Sequence, residues 1–173
     1  ERWMAESLLF IGLTATPWAR GMGRSWQHLV KSASLQELTD KGFLAPCRVY
    51  APSHPDLEGV RTVAGDFHEG DLAKRMNQTG LVADIVETWI KRGVNRPTLC
   101  FATGRDHARA IHDQFAQFGI TVAYVDADTP REERDKIGRR LAAGDVKVVC
   151  NIGTLTTGID WDVRCLILAR PTK

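Results

Sequence analysis

The chain has little cysteine, and none of it in metal or redox spacing. Cys47, Cys100, Cys150 and Cys165 are the only four in 173 residues, and no two form a C-x-x-C pair. That argues against a zinc site or a disulfide framework. At least three of them sit in strand-like apolar runs and read as reduced core thiols of a cytoplasmic protein. The five histidines show no metal spacing either. His107 and His112 fall on one predicted helix but on different faces of it. No apolar run approaches the roughly 18–20 residues of a membrane-spanning helix. Charge of one sign is also missing. Lys and Arg number 23 against 21 Asp and Glu, a net charge of +2, so any polyanion surface must be local. Internal repeats, low-complexity segments and a visible signal peptide are absent, although a start at Glu1 rather than Met leaves an upstream segment open.

What is present is an ordinary globular composition, 43% hydrophobic and 25% charged, enough for one domain with a proper core. From about residue 79 to 169, helix and strand patterns alternate. Leu81, Ile85 and Trp89, with Val82, Val86 and Ile90, make one helix stripe. Ala108, Ile111, Phe115 and Phe118 make another, on a helix opening near Arg105. Strands are predicted over 98–102, 120–125, 146–151 and 163–169. Thr129-Pro130-x-Glu132 predicts a helix start with N-cap, proline and capping-box glutamate together, and Gly144 predicts its end. Such alternation predicts a parallel sheet covered by helices. The N-terminal part is less regular. Leu8–Leu13 predicts a strand stopped by Pro17, and Ser34-x-x-Glu37 predicts a short helix ended by Gly42. Residues 48–51 predict a short strand, residues 52–70 a loop, and a boundary falls between Pro17 and Pro46.

The most informative stretch is Val146–Asp160, VKVVCNIGTLTTGID. It reads as a buried strand, then a loop of small and hydroxyl residues, then Gly158-Ile159-Asp160. Small residues let a ligand approach the backbone, and hydroxyls and free N–H groups bind phosphate. In an α/β sheet, ligands bind at the carboxyl ends of strands. Taken alone, the stretch leaves two readings open, a phosphate or nucleotide contact and a surface turn.

The ordered set of motifs decides between them. Gly12-Leu13-Thr14-Ala15-Thr16-Pro17 resembles motif III of superfamily 2 helicases and translocases. Thr98–Arg105, TLCFATGR, resembles motif IV, and Val146–Asp160 resembles motif V. Asp128 through Arg134 and then Gly144 fit the spacing of the second RecA-like domain. The tail CLILARPTK resembles the segment just before motif VI. The texture is closest to the DEAD/DEAH-like, restriction-enzyme R-subunit-like branch. Two departures stand out: Ile152 where many relatives carry Thr, and Asp126-Ala127 where many carry His-Gly.

The resemblance implies a three-layer RecA-like α/β fold of the P-loop NTPase type, with a mainly parallel sheet. Residues 1–45 would be the end of a first RecA-like domain plus a connector. Residues 46–173 would be the second, helicase C-terminal domain, truncated before motif VI. Such motors hydrolyse ATP between two RecA-like domains. The chain has neither a G-x-x-x-x-G-K-[ST] loop nor a DEAD/DEAH box, so the Mg²⁺ site and the opposite wall of the ATP cleft would lie outside it. ATP turnover is therefore expected of the full-length protein and not of this chain alone. The implied partners are nucleic acid, DNA in preference to RNA, and the missing first RecA-like domain, with no membrane.

Residue by residue, Thr14 and Thr16 are implied to couple the nucleotide and nucleic-acid sites. Thr156, Thr157, Gly158 and Asp160 match the end of motif V that reaches ATP, with Asp160 implied at the ribose. Thr103, Gly104 and Arg105 combine helix-start N–H groups with a guanidinium, a phosphate-backbone site. Thr154 would replace the nucleic-acid hydroxyl that Ile152 lacks. Trp18, Trp26 and Trp161 read either as base-stacking groups or as packing, and Trp161 alternatively as an adenine flank. Arg131, Arg134, Lys136, Arg139 and Arg140 crowd one helix and read as a solvated face, with Glu132–Lys136 and Asp135–Arg139 pairs expected. Two other functions remain open: a non-catalytic RecA-like interaction module, and a different nucleotide-binding α/β enzyme such as a transferase.

Overall fold

The capping box in the N-terminal part forms as its residues dictate. The computed structural model describes residues 10–14, 21–51, 54–156 and 159–171. The chain divides into two units, residues 1–49 and 50–173. In the first, helix α1 (Leu35–Asp40) opens with the Glu37 N–H donating to Ser34 Oγ and the Ser34 N–H donating to the Glu37 carboxylate. It ends in a Schellman arrangement. The Phe43 N–H donates to Leu38 C=O and the Gly42 N–H to Thr39 C=O, with Gly42 at φ 77°. The expected strand over residues 8–13 does not form among its described members. Phe10, Ile11 and Leu13 are exposed and irregular. A strand is defined by its ladder, and no partner strand is described in this unit.

The second unit is an α/β sandwich. A two-stranded antiparallel hairpin comes first, β1 (Thr62–Val63) and β2 (Asp66–Phe67). Helix α2 (Glu69–Met76) follows directly. Both correct the expected loop over 52–70, and residues 48–51 carry no strand. The signals for α2 were there to read. His68 caps it by accepting from the Asp71 N–H, Glu69 and Asp71 sit in its first turn, and Lys74 and Arg75 in its last. Leu72 and Met76, one helical turn apart, are its buried face.

Helix α3 (Thr79–Thr88) runs into a π-helical turn at Trp89–Gly93. The buried stripe is Val82, Val86 and Trp89, with Ile90 left 46% exposed. The Trp89 indole donates from Nε1 to Thr98 Oγ1 at 2.7 Å and meets Phe115 edge-on at 5.4 Å. Strand β3 (Thr98–Phe101), helix α4 (Arg105–Gln117), strand β4 (Val122–Val125), helix α5 (Arg131–Ala143), strand β5 (Val148–Asn151) and strand β6 (Cys165–Leu168) complete the unit. The four strands β3 to β6 pair entirely in parallel, in the order β4-β5-β3-β6.

Strand periodicity sorts the core into two layers. One face of the sheet, with Cys100, Val148 and Cys150, packs against Val82, Val86, Ala108, Ile111 and Phe115 of α3 and α4. The other face, with Leu99, Val125 and Val149, packs against Ile137 and Leu141 of α5. Each fully buried Val, Leu, Ile or Phe among them contributes about 1.5–3 kcal/mol, so these two layers outweigh any surface pairing. The expected α/β fold with a parallel sheet is therefore present. Phe118, expected in the α4 stripe, lies past the helix end and is 53% exposed.

The start of α5 differs from expectation. Thr129 does not cap it, and Pro130 occupies the cap position without a side-chain bond. The Thr129 hydroxyl is taken instead by Asp126, whose N–H donates to it at 3.0 Å. Gly144 ends α5 at φ 82°, as expected. The expected Glu132–Lys136 and Asp135–Arg139 pairs are absent among the described residues, and Lys136 pairs with Glu133. Cys100 and Cys150 are buried opposite each other on β3 and β5, Cys165 is half-buried, and Cys47 is exposed. Among the described residues, no helix is long and apolar enough to cross a membrane.

Candidate functional site

Parallel pairing brings the carboxyl ends of β3, β5 and β6 to one edge of the sheet, and the candidate loops leave from there. Backbone bonds tie the exits together. The Ala102 N–H donates to Asn151 C=O at 2.9 Å, and the Ala169 N–H donates to Phe101 C=O at 3.0 Å. Asn151 is fully buried and adds a side-chain tie. Its Nδ2 donates to Cys100 C=O at 3.0 Å, and its Oδ1 accepts from the Leu155 N–H at 3.4 Å. The loop after β5 thus curls back onto its own strand, with Gly153 at φ 60° and Leu155 buried beneath it. The Thr154 hydroxyl donates to Ile152 C=O at 2.9 Å, so it is engaged locally.

The loop after β3 is built around a histidine that the sequence pattern did not single out. The Thr103 N–H donates to His107 Nδ1 at 3.3 Å, and Thr103 Oγ1 lies 2.9 Å from the same nitrogen. An N–H only donates, so Nδ1 accepts and the ring proton sits on Nε2. That Nε2 is buried without a partner among the described residues. Burial lowers the imidazole pKa to about 4, which keeps it neutral at physiological pH. Gly104 then opens α4 in extended backbone, and no side chain caps the helix. Its first-turn N–H groups have no side-chain acceptor from the cap position.

Arg105 is not free. Its guanidinium pairs with Asp128, and its Nε lies 3.4 Å from Asp126 Oδ2. Burial would raise the Asp126 carboxyl. The Tyr124 hydroxyl at 3.1 Å, the Asp128 N–H at 3.0 Å, the Arg105 charge and the Thr129 hydroxyl outweigh it and hold the group below its ordinary value. Asp126 is one of the two positions, Asp126-Ala127, where the sequence departs from His-Gly.

Residues 81–173, more than half of the chain, match the helicase conserved C-terminal domain. The chain belongs to that family. The expected helicase C-terminal domain is therefore what it contains. A curated relative, a 51.5 kDa protein of Lactococcus phage (isolate 7-9), is 28% identical over 167 residues, covering 94% of this chain and 37% of the relative. The chain thus spans little more than a third of that relative's length. Among solved structures, the helicase domain of Pyrococcus furiosus Hef has a TM-score of 0.46 at 19% identity, over 54% of this chain and 20% of that one. The C-terminal domain of the DEAD-box protein Dbp5 has a TM-score of 0.43 at 20% identity, over 50% and 51% of the two chains.

Within this helicase C-terminal domain, the structure brings Thr103, Gly104, Arg105 and Thr154 to the carboxyl edge. Asp160 is exposed, with no hydrogen bond or ion pair among the described residues. Thr14 is described and exposed in the first unit, whereas Thr16, Thr157 and Gly158 lie outside the described residues. Trp161 does not stand free to stack. Its indole lies on Gly138 of α5, so close that a Cβ there would fall 2.6 Å from Cε2 and Nε1. Trp26 similarly lies against Gly12, and Trp18 is outside the described residues. Sequence reasoning missed His107, the Asp126–Asp128 turn, and Arg170, whose Nη2 donates to Asp66 at 2.6 Å and ties the β1–β2 hairpin to the end of β6. Of these, Asp126 left a trace in the sequence as a departure from the family pattern, and Asp128 as the start of a stretch that fits the family spacing.

Proposed function

We propose that this chain is the end of the first RecA-like domain with a connector, followed by the second RecA-like domain, of an ATP-dependent superfamily 2 helicase or translocase that moves along or opens nucleic acid, DNA in preference to RNA. One observation carries the reading. In a helicase C-terminal domain, the loops after β3 and β5 leave the same carboxyl edge, locked together through Asn151. The loop after β3 offers uncapped helix N–H groups and Arg105 to a phosphate backbone. In this reading Thr157, Gly158 and Asp160 form one wall of the ATP cleft. The exposed Asp160 carboxylate suits a ribose hydroxyl. Mg²⁺ and the opposite wall belong to the first RecA-like domain, outside this chain, and Thr14 and Thr16 couple the two sites. Nucleic acid is held mainly through phosphates, so binding is sequence-tolerant and weakens steeply with salt.

The test is Asp160→Ala or Gly158→Val in the full-length protein. ATP turnover falls while the domain stays folded by circular dichroism; unchanged turnover removes the assignment. Tight, base-specific binding at high salt would contradict the nucleic-acid half. DNA-stimulated ATP turnover by the 173-residue chain alone would contradict the division of the cleft between two domains.

A further inference from the structure

The Arg105 guanidinium already holds an anion, and the anion is part of the protein. Asp126 is the anchor. Its side chain is 11% exposed, and it is fixed by the Tyr124 hydroxyl, the Asp128 N–H and the Thr129 hydroxyl. Arg134 clamps the same turn from behind, donating from Nε to Thr129 C=O at 2.9 Å and from Nη2 to Ala127 C=O at 3.2 Å and Asp126 C=O at 3.3 Å. A turn held this way presents Asp128 to Arg105 in a defined place. The Asp128 side chain itself is different: 75% exposed, and bonded through its carboxylate, among the described residues, only to Arg105. It can rotate away without disturbing the turn, because the bond that shapes the turn uses its backbone N–H.

A carboxylate and a phosphate compete for the same guanidinium donors. We propose that Asp128 occupies the phosphate position of Arg105 and must be displaced before nucleic acid binds there, so that this one carboxylate sets the affinity of the loop after β3. The inference rests on the reading of Arg105 as a phosphate contact. Asp126 stays in place and keeps Arg105 oriented. Asp128 is the part that exchanges with the ligand. The exchange replaces one exposed ion pair with another, so its effect is modest. Exposed pairs are worth about 0.2–1 kcal/mol, which corresponds to no more than about a fivefold change in affinity.

The test is a fluorescence-anisotropy titration of the 173-residue chain at low ionic strength with a labelled, mixed-sequence single-stranded DNA. Five proteins are compared: wild type, Asp128→Asn, Arg105→Gln, the double variant, and Asp113→Asn. The last removes a similarly exposed charge from α4, 71% against 75%. Asp128→Asn is expected to tighten binding about two- to fivefold, beyond the effect of Asp113→Asn. Arg105→Gln weakens binding, and Asp128→Asn then adds nothing in the Arg105→Gln background. If Arg105→Gln weakens binding but Asp128→Asn acts no more than Asp113→Asn, or acts equally without Arg105, the displacement idea fails and the phosphate contact stands. If Arg105→Gln leaves binding unchanged, the contact itself is wrong and the proposal falls with it.

Discussion

Gly138 lies mid-way along α5, where the Trp161 indole crosses it, and replacing it with alanine sets two effects against each other. In an exposed helix interior Gly→Ala stabilises by about 1 kcal/mol, because glycine costs more backbone entropy. Here the new methyl would stand 2.6 Å from Cε2 and Nε1 and 3.0 Å from Cζ2 of Trp161. Carbon contacts are comfortable at roughly 3.5–4.0 Å. A rigid ring cannot yield by a few tenths of an ångström as a flexible chain end can, so either the indole leaves the surface or α5 shifts. Overpacking of this kind costs about 1–3 kcal/mol. The clash therefore wins, and Gly138→Ala should destabilise by about 1 kcal/mol net. The sign should reverse when the ring is removed: in a Trp161→Ala background, only the helix-propensity gain remains. Urea unfolding followed by far-UV circular dichroism measures both, without depending on tryptophan emission. Stabilisation by Gly138→Ala in the wild-type background, or the same sign in both backgrounds, would refute the packing argument.

Three further outcomes are expected. Asn151→Leu keeps the branched shape but removes the side-chain partners of Cys100 C=O and the Leu155 N–H; it should cost about 2–4 kcal/mol and speed hydrogen exchange at Leu155. His107 has a folded pKa of about 4 against about 6.5 unfolded, so the unfolded chain binds the extra proton first. Stability is therefore full above about pH 6.5 and falls by up to about 3 kcal/mol as pH drops to about 4; urea midpoints at several pH values should show this slope, and His107→Asn should flatten it. Trp89→Phe keeps an aromatic ring near Phe115 but loses the bond from Nε1 to Thr98. Thr98 still donates to Arg96 C=O at 2.7 Å, so the loss should stay near 1–2 kcal/mol in thermal or urea unfolding.

Legibility differed by element. The region 98–151 was readable because its strands are short, mainly apolar runs and its helices carry stripes that the core uses, as with Ala108, Ile111 and Phe115. Helix α3 was read correctly as a helix, but its buried side is Val82, Val86 and Trp89, with Leu81 and Ile85 only partly buried. Both sets have helical spacing, and only the packing partner chooses between them. The Thr129 cap failed for a related reason. The hydroxyl can serve the helix or the turn before it, and a buried Asp126 made the turn the stronger claimant. The hairpin at 62–67 was missed because two-residue strands leave almost no periodic trace.

By itself the sequence determined the alternation of helices and strands, hence a parallel sheet, and the order of motifs that places the chain among helicase C-terminal domains. Those features are local: periodicity, caps, glycines and short loops act within a few residues and need no partner from elsewhere. Only the tertiary structure decided that Arg105 meets Asp128, 23 residues on, that Asp66 meets Arg170, 104 residues on, and that His107 holds Thr103 from a buried position. Such pairings depend on strand register and on which faces the core covers. Exposed ion pairs are also too weak to direct folding, so they take whatever geometry hydrophobic burial has already set.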